Sequence, residues 1–137
     1  MIVTRVRELL LEQAPIVAIL GDRIYPVTWP DAPEFPLIIL QRITGLGETT
    51  MLGEAGIESV RLQVDVYSDR GYSDCEALAL LVRRLLHGFK GGPATAPCAI
   101  DRSSCINDSD QPVPETERAG PRLRRRMLEF SIWNREV

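Results

Sequence analysis

The residues that could carry chemistry are few. His87 is the only histidine, and Cys75, Cys98 and Cys105 are the only cysteines. A zinc-type site needs paired ligands, and neither a Cys-x-x-Cys nor a His-x-x-x-His spacing is present. Cys75 falls in the first turn of an expected helix and Cys98 in an expected strand, where both read as small hydrophobes. An odd number of thiols with no export signal reads as reduced. Nucleophilic catalysis needs a base beside a nucleophile. His87 instead stands near the end of an amphipathic helix, where the helix dipole favours a cation, and no nucleophile accompanies it. Asp65 and Glu129 could do paired acid–base work. On the outward faces of strands, however, they read as cross-strand partners of Arg61 or Arg125, each pair worth roughly a few tenths of a kcal/mol. Gly45-Leu46-Gly47 lacks the third glycine of a dinucleotide fingerprint, and Gly88-Phe89-Lys90-Gly91 lacks the hydroxyl residue that follows a phosphate-loop lysine. No catalytic residue, metal or cofactor is predicted, and the chain does not read as an enzyme.

Two stretches read better as contact surfaces. Arg122, Arg124, Arg125 and Arg126 form the one dense basic run. In a strand they alternate, so Arg125 points away from Arg124 and Arg126 and no one-sided basic stripe forms. Nineteen acidic and sixteen basic residues give a net charge of −3, which argues against a dedicated nucleic-acid binder. A strand end or a subunit contact is the simpler reading. Gly45 to Gly56 carries four glycines around Met51 and Leu52, with Glu48 and Glu54 flanking them. It is either a mobile tip or a loop that orders against a neighbouring subunit with Met51 and Leu52 as anchors.

The elements that must position these residues centre on Ile57 to Leu86. Val60, Leu62, Val64 and Val66 alternate with Arg61, Gln63, Asp65 and Tyr67, the period of a strand with one buried side. Asp69-Arg70-Gly71 breaks the strand. Ser73 and Glu76 have capping-box spacing at the start of a helix whose apolar stripe is Leu78, Leu81, Val82 and Leu85. Upstream, Val3 to Ala14 reads as a helix with Val3, Val6, Leu9 and Leu10 inward and Arg5, Glu8 and Glu12 in water. Pro15 ends or bends it, and Ile16 to Leu20 adds a further turn stopped by Gly21. Asp22 to Pro26 leads into a short extended piece, and Pro30 and Pro33 bracket a loop. Pro36 to Thr44 is a strand whose continuous run, Leu37 to Leu40, is expected where both faces are covered. Downstream, Ala96 to Asn107 reads as a strand with Cys98, Ile100, Ser104 and Ile106 sharing a face. Asp108 to Pro121 reads as a loop, and Leu123 to Trp133 as a closing strand with Leu128, Phe130 and Ile132 inward.

This order predicts an α+β fold, a mainly antiparallel sheet with two principal helices packed on one face. The length of 137 residues, an apolar share of 45% and a charged share of 26% fit one domain spanning residues 1–137 with a real core. Charges at Arg5, Arg7, Glu8 and Glu12 rule out a signal-peptide core at the start, and no apolar run approaches a membrane span.

Three stretches together resemble a known family: Ala18 through Gly21-Asp22-Arg23 to Pro26, the run Pro36 to Leu40, and the strand Val60 to Tyr67 leading into the helix at Ser73. The pattern, with the arginines of the closing strand and Leu128 to Trp133, resembles the small tail-completion proteins of tailed bacteriophages (DUF3168), which are similar to siphophage tail terminators. The resemblance implies a non-catalytic virion protein, assembled in the host cytoplasm. It would form a ring, six-membered by family resemblance, that caps the head-proximal end of the tail tube and ends its polymerisation. The implied partners are further copies of itself, the tail tube protein and a head-completion or connector protein, with DNA passing through unbound and no membrane involved. On that reading Met51, Leu52, Arg124, Arg125 and Arg126 are interface candidates, and Glu48, Glu54 and Glu58 are expected to face the lumen and keep it acidic. The rivals are a head-closure or connector protein, a nucleic-acid module, and a small α+β enzyme or ligand-binding domain with a pocket around His87, Asp65 and Glu129.

Overall fold

The computed structural model describes residues 2–50, 53–91, 98–113 and 123–136, with side chains described outside 44–58, 98–99 and 135–136. Helix α1 (Ile2–Leu11) is followed by α2 (Ala14–Leu20), β1 (Ile24–Pro26), β2 (Leu37–Thr50), β3 (Gly53–Ser68), α3 (Tyr72–Leu86), β4 (Cys98–Gln111) and β5 (Arg124–Glu136). The strands form a sheet in the order β1-β2-β3-β5-β4. Every neighbouring pair is antiparallel except β1 with β2. The α+β reading, mainly antiparallel, therefore holds.

The break after α1 follows from Pro15, which occupies the first turn of α2, where a missing N–H costs nothing. Gly21, at φ 58, stops α2 as expected. All three helices pack on one sheet face. Val6, Leu9, Leu10, Ile16, Leu20, Leu78, Val82 and Leu86 meet Ile38, Leu40, Val60, Leu62, Val64, Val66, Leu128, Phe130 and Ile132 in one continuous core. Arg5 departs from its expected place in water: it is buried beneath α1, with Glu8 as an ion partner at 3.6 Å.

The run Leu37 to Leu40 is covered on both faces, as its composition requires. Ile38 and Leu40 enter the helix-side core. Leu37 and Ile39 join Tyr67 and Leu123 on the other face, beneath Tyr25, Trp29, Phe35 and Val113. This second layer is built by Tyr25 of β1 and by loop residues rather than by a helix. It buries Asp65 and Tyr67, which alternation alone placed on an open face.

Three further expectations fail, and so does the shared face of Ile100 and Ile106, of which the first is buried and the second exposed. Gly45 to Gly56 is not a loop on its described residues: β2 continues to Thr50 and β3 begins at Gly53, paired from Thr50 with Gly53 through Leu37 with Tyr67. Asp108 to Gln111 belong to β4 rather than to a loop, opposite Leu128 to Arg125. The capping box does not form. Gly71, at φ 100, turns β3 into a helix that starts at Tyr72, so Ser73 lies inside the first turn and caps nothing.

Candidate functional site

The alternation of β5 sends its arginines to opposite faces of the sheet, and each face has acids to receive them. On the face away from the helices, Arg125 lies 3.0 Å from the Asp65 carboxylate and over the Tyr67 ring at 5.8 Å. Gln63 donates from Nε2 to the second Asp65 oxygen at 2.8 Å. Trp29 meets Tyr67 edge-on at 5.1 Å and Phe35 at 5.7 Å, which holds the loop after β1 over this cluster. Burial pushes the Tyr67 phenol above its ordinary value, against the opposing pull of Arg125. Further along the same face, Arg61 reaches Glu129 at 2.6 Å. The cross-strand pairs expected from the sequence are thus both present. A shallow recess of about 260 Å³ runs between Val27, Trp29, Gln41, Gln63, Tyr67 and Arg125.

On the helix side, Arg126 binds Asp108 at 2.5 Å and Asp110 at 3.0 Å. Arg83 of α3 closes on Asp108 at 2.9 Å, and the Tyr72 hydroxyl donates to Asp110 at 3.0 Å. This network ties the first and last turns of α3 to the ends of β4 and β5. Burial alone would raise the Asp108 carboxyl, but hydrogen bonds and charge from Arg126 and Arg83 hold it below its ordinary value of 3.8. A depressed folded value contributes stability that is complete above the ordinary carboxylate range and is lost as pH falls through the folded value. Thermal melts should therefore show the wild type losing stability from about pH 4 downward, while Asp108→Asn, less stable near neutrality, loses less over the same interval. Parallel pH profiles for the two proteins would refute the assignment.

His87 ends α3, and its Nδ1 accepts the backbone N–H of Cys105 at 3.0 Å, which ties the helix end to β4. Gly88 donates to Ser103 O at 2.8 Å, and Gly91 exchanges both backbone bonds with Ile100. Residues 87–91 thus cover the outer margin of β4 from Ile100 to Cys105. His87 lies with the helical layer, whereas Asp65 and Glu129 lie on the opposite face and are held by arginines. The pocket that an enzyme reading requires does not assemble from these three residues. Among the described residues no group of three or more His, Cys, Asp or Glu could hold a metal ion. Burial pushes the Cys75 thiol up to about 11, far from a reactive thiolate.

The other expected site residues fall as follows. Arg124 is exposed at the start of β5 and donates to Leu123 O at 3.0 Å. Arg125 and Arg126 are committed to the internal ion pairs above. Glu48 lies in β2 at a register shift, Glu54 stands opposite Thr49, and Glu58 opposite Gly47 and Asn134. All three are on the distal half of the β2–β3 hairpin. Met51 and Leu52 lie outside the described residues. Sequence reasoning missed Asp108, Asp110 and Tyr72 as partners of Arg126. The available signal was the spacing of two acids two residues apart, which places them on one face of a strand.

The sequence model of the family described as "Tail completion protein gp17" matches residues 4–135. Among solved structures, the chain is similar to one from the "Virion of native gene transfer agent (GTA) particle", with a TM-score of 0.75 at 18% identity, covering 97% of this chain and 93% of that one. None of the curated proteins compared with the chain matches it.

Proposed function

The chain belongs to the tail completion protein gp17 family, and from that membership we propose that it closes the head-proximal end of a tail tube as a ring. There it ends tube polymerisation and presents the surface that joins the head. The observation that carries this reading is the family match over nearly the whole chain. The likeness to a virion-particle chain at the level of fold accords with it. Among the described residues no helix is long and apolar enough to cross a membrane.

The architecture supplies what such a part needs. A ring requires two different, mutually matching surfaces on each subunit, and the two margins of this sheet differ in strand, length and cover. The β2–β3 hairpin runs beyond the end of β5, whose last pairing with β3 is Ile57 with Arg135. In the proposed ring its distal half contacts a neighbouring subunit, with Met51 and Leu52 as the anchors. Arg124, exposed at the start of β5, faces a partner in this reading, while Arg125 and Arg126 shape the surface from within. Its partners are then further copies, the tube protein and a head-completion protein.

Deleting the gene and imaging the lysate by negative-stain electron microscopy tests the reading. Filled heads beside unattached, overlong tubes are expected. Tails of normal length beside leaking heads would assign the protein to head closure, and intact infectious particles would refute a structural role.

In the same ring, Glu48, Glu54 and Glu58 line the passage and keep it acidic, so that DNA phosphates are repelled rather than held. Reversing all three to lysine should slow genome delivery several-fold while particles remain intact. Unchanged infection kinetics in that variant would remove the lumen assignment.

A further inference from the structure

Each margin of the sheet is covered over part of its length and, among the described residues, bare beyond it. Along β2 the neighbour β1 pairs only with Ile38 to Leu40. Its last bond is Val27 N–H to Leu40 O at 2.8 Å, and Val27, at φ 68, turns the chain away. From Gln41 on, no described strand lies beside β2. Along β4 the cover supplied by residues 87–91 ends at Cys105, and no described strand lies beside Ile106 to Gln111. The first bare residues on each side include a large apolar side chain in water, Ile43 at 40% exposure and Ile106 at 49%. Both stand at bulges, where the register shifts between Arg42 and Thr44 and between Cys105 and Asn107. A bare strand margin with an exposed isoleucine is the surface that natural sheets otherwise blunt.

The two bare segments are complementary in direction and in height. Three successive antiparallel pairings make β2 and β4 run in opposite senses. A second copy set beside the first in the same orientation therefore offers an antiparallel partner, the more stable pairing. Row by row, Gln41 aligns through Gln63 and Glu129 with Asn107, so the bare part of β4 lies below this level and the bare part of β2 above it. Without a stagger the two covers would collide. A stagger of about four residues clears both and brings the bare segments together. Over four strands, that stagger (~14 Å against ~19 Å of sheet width) inclines the strands by roughly 35°, the tilt of closed barrels.

We propose that Ile106 to Gln111 of β4 in one copy pairs antiparallel with residues 41–46 of β2 in a second copy, burying Ile43 and Ile106. The contact is heterologous and repeats around the ring. This inference rests on the ring reading and specifies its subunit joint.

The test uses the full-length protein with Cys98→Ser and Cys105→Ser, since Cys75 is buried and unreactive. Ile43→Cys and Ser109→Cys are added singly or together and treated with a bis-maleimide spanning about 8 Å, the reach of directly opposed and diagonal strand neighbours. The doubly substituted chain should give a ladder of cross-linked multimers, and a mixture of the two singly substituted chains should give dimers only. Each single variant alone should give none. Ile43→Lys and Ile106→Lys, both at exposed positions, should each raise the concentration needed for assembly at least tenfold while leaving circular dichroism and melting unchanged. Cross-linked dimers from Ile43→Cys alone would show a two-fold contact and overturn the proposal. Multimers that form without the ladder would overturn the joint and leave the ring standing. A wild-type chain that stays monomeric on and off the tube would overturn both.

Discussion

Replacing Phe130 with alanine should cost about 3–5 kcal/mol, the range for removing a fully buried aromatic side chain. Phe130 has no exposed surface and stands in β5 between Leu62 of β3 and Cys105 of β4. From there it faces the helical layer at the centre of the principal core. The site cannot collapse easily, because its neighbours on both sides are fixed by strand ladders and the helices above rest on several other side chains. Against a typical domain stability of roughly 5–15 kcal/mol, this is a large fraction. The melting temperature should fall on the order of 10–20 °C. Leu80→Ala is the control: Leu80 is 43% exposed on α3, and its loss should change stability by less than about 0.5 kcal/mol. Urea melts of the two variants against wild type provide the check. Equal effects would mean that the core does not centre on β5.

How far the sequence disclosed this arrangement depends on which interactions decide each segment. Val60 to Val66 and Leu128 to Ile132 were legible because every second residue is large and apolar, and no irregularity interrupts the count. The same alternation correctly set Arg61 against Glu129 and Arg125 against Asp65. In β4 the period is broken twice, at Asp101 and at Ile106. Each bulge advances the phase by one residue, so Ile100 is buried and Ile106 faces solvent, although simple alternation puts them on one face. The distal hairpin was illegible for a different reason. Glycines and threonines there carry no apolar period, and it is pairing with the rest of β3, not local preference, that extends the strand. The burial of Asp65 came from the loop around Trp29, whose position depends on a tertiary stack that no local pattern encodes. Similarly, the partner of His87, the Cys105 N–H, lies on a strand eighteen residues away, so no local pattern points to it.

The pair on the helix-free face leads to an asymmetric expectation. The side chain of Asp65 is 6% exposed and that of Arg125 21%. Removing the arginine strands a buried carboxylate with Gln63 as its remaining side-chain donor. Removing the acid leaves a guanidinium that water can still reach and that keeps its place over Tyr67. Arg125→Met should therefore cost about 2–4 kcal/mol, near the range for breaking a buried ion pair. Asp65→Leu should cost about half as much. The doubly substituted chain should recover much of the loss, because two apolar groups of similar volume leave no unpaired charge, and the coupling energy should reach roughly 1–3 kcal/mol. A double-mutant cycle in urea measures it directly. The result also bears on assembly. A strong coupling means that Arg125 is spent on rigidifying the recess beside Trp29, and a partner meets the shape of that face rather than its charge. A coupling below about 0.5 kcal/mol would mean that the arginine can leave Asp65 at little cost, and the proposed subunit contact could then draw on the charge of Arg125 as well as on the shape of that face.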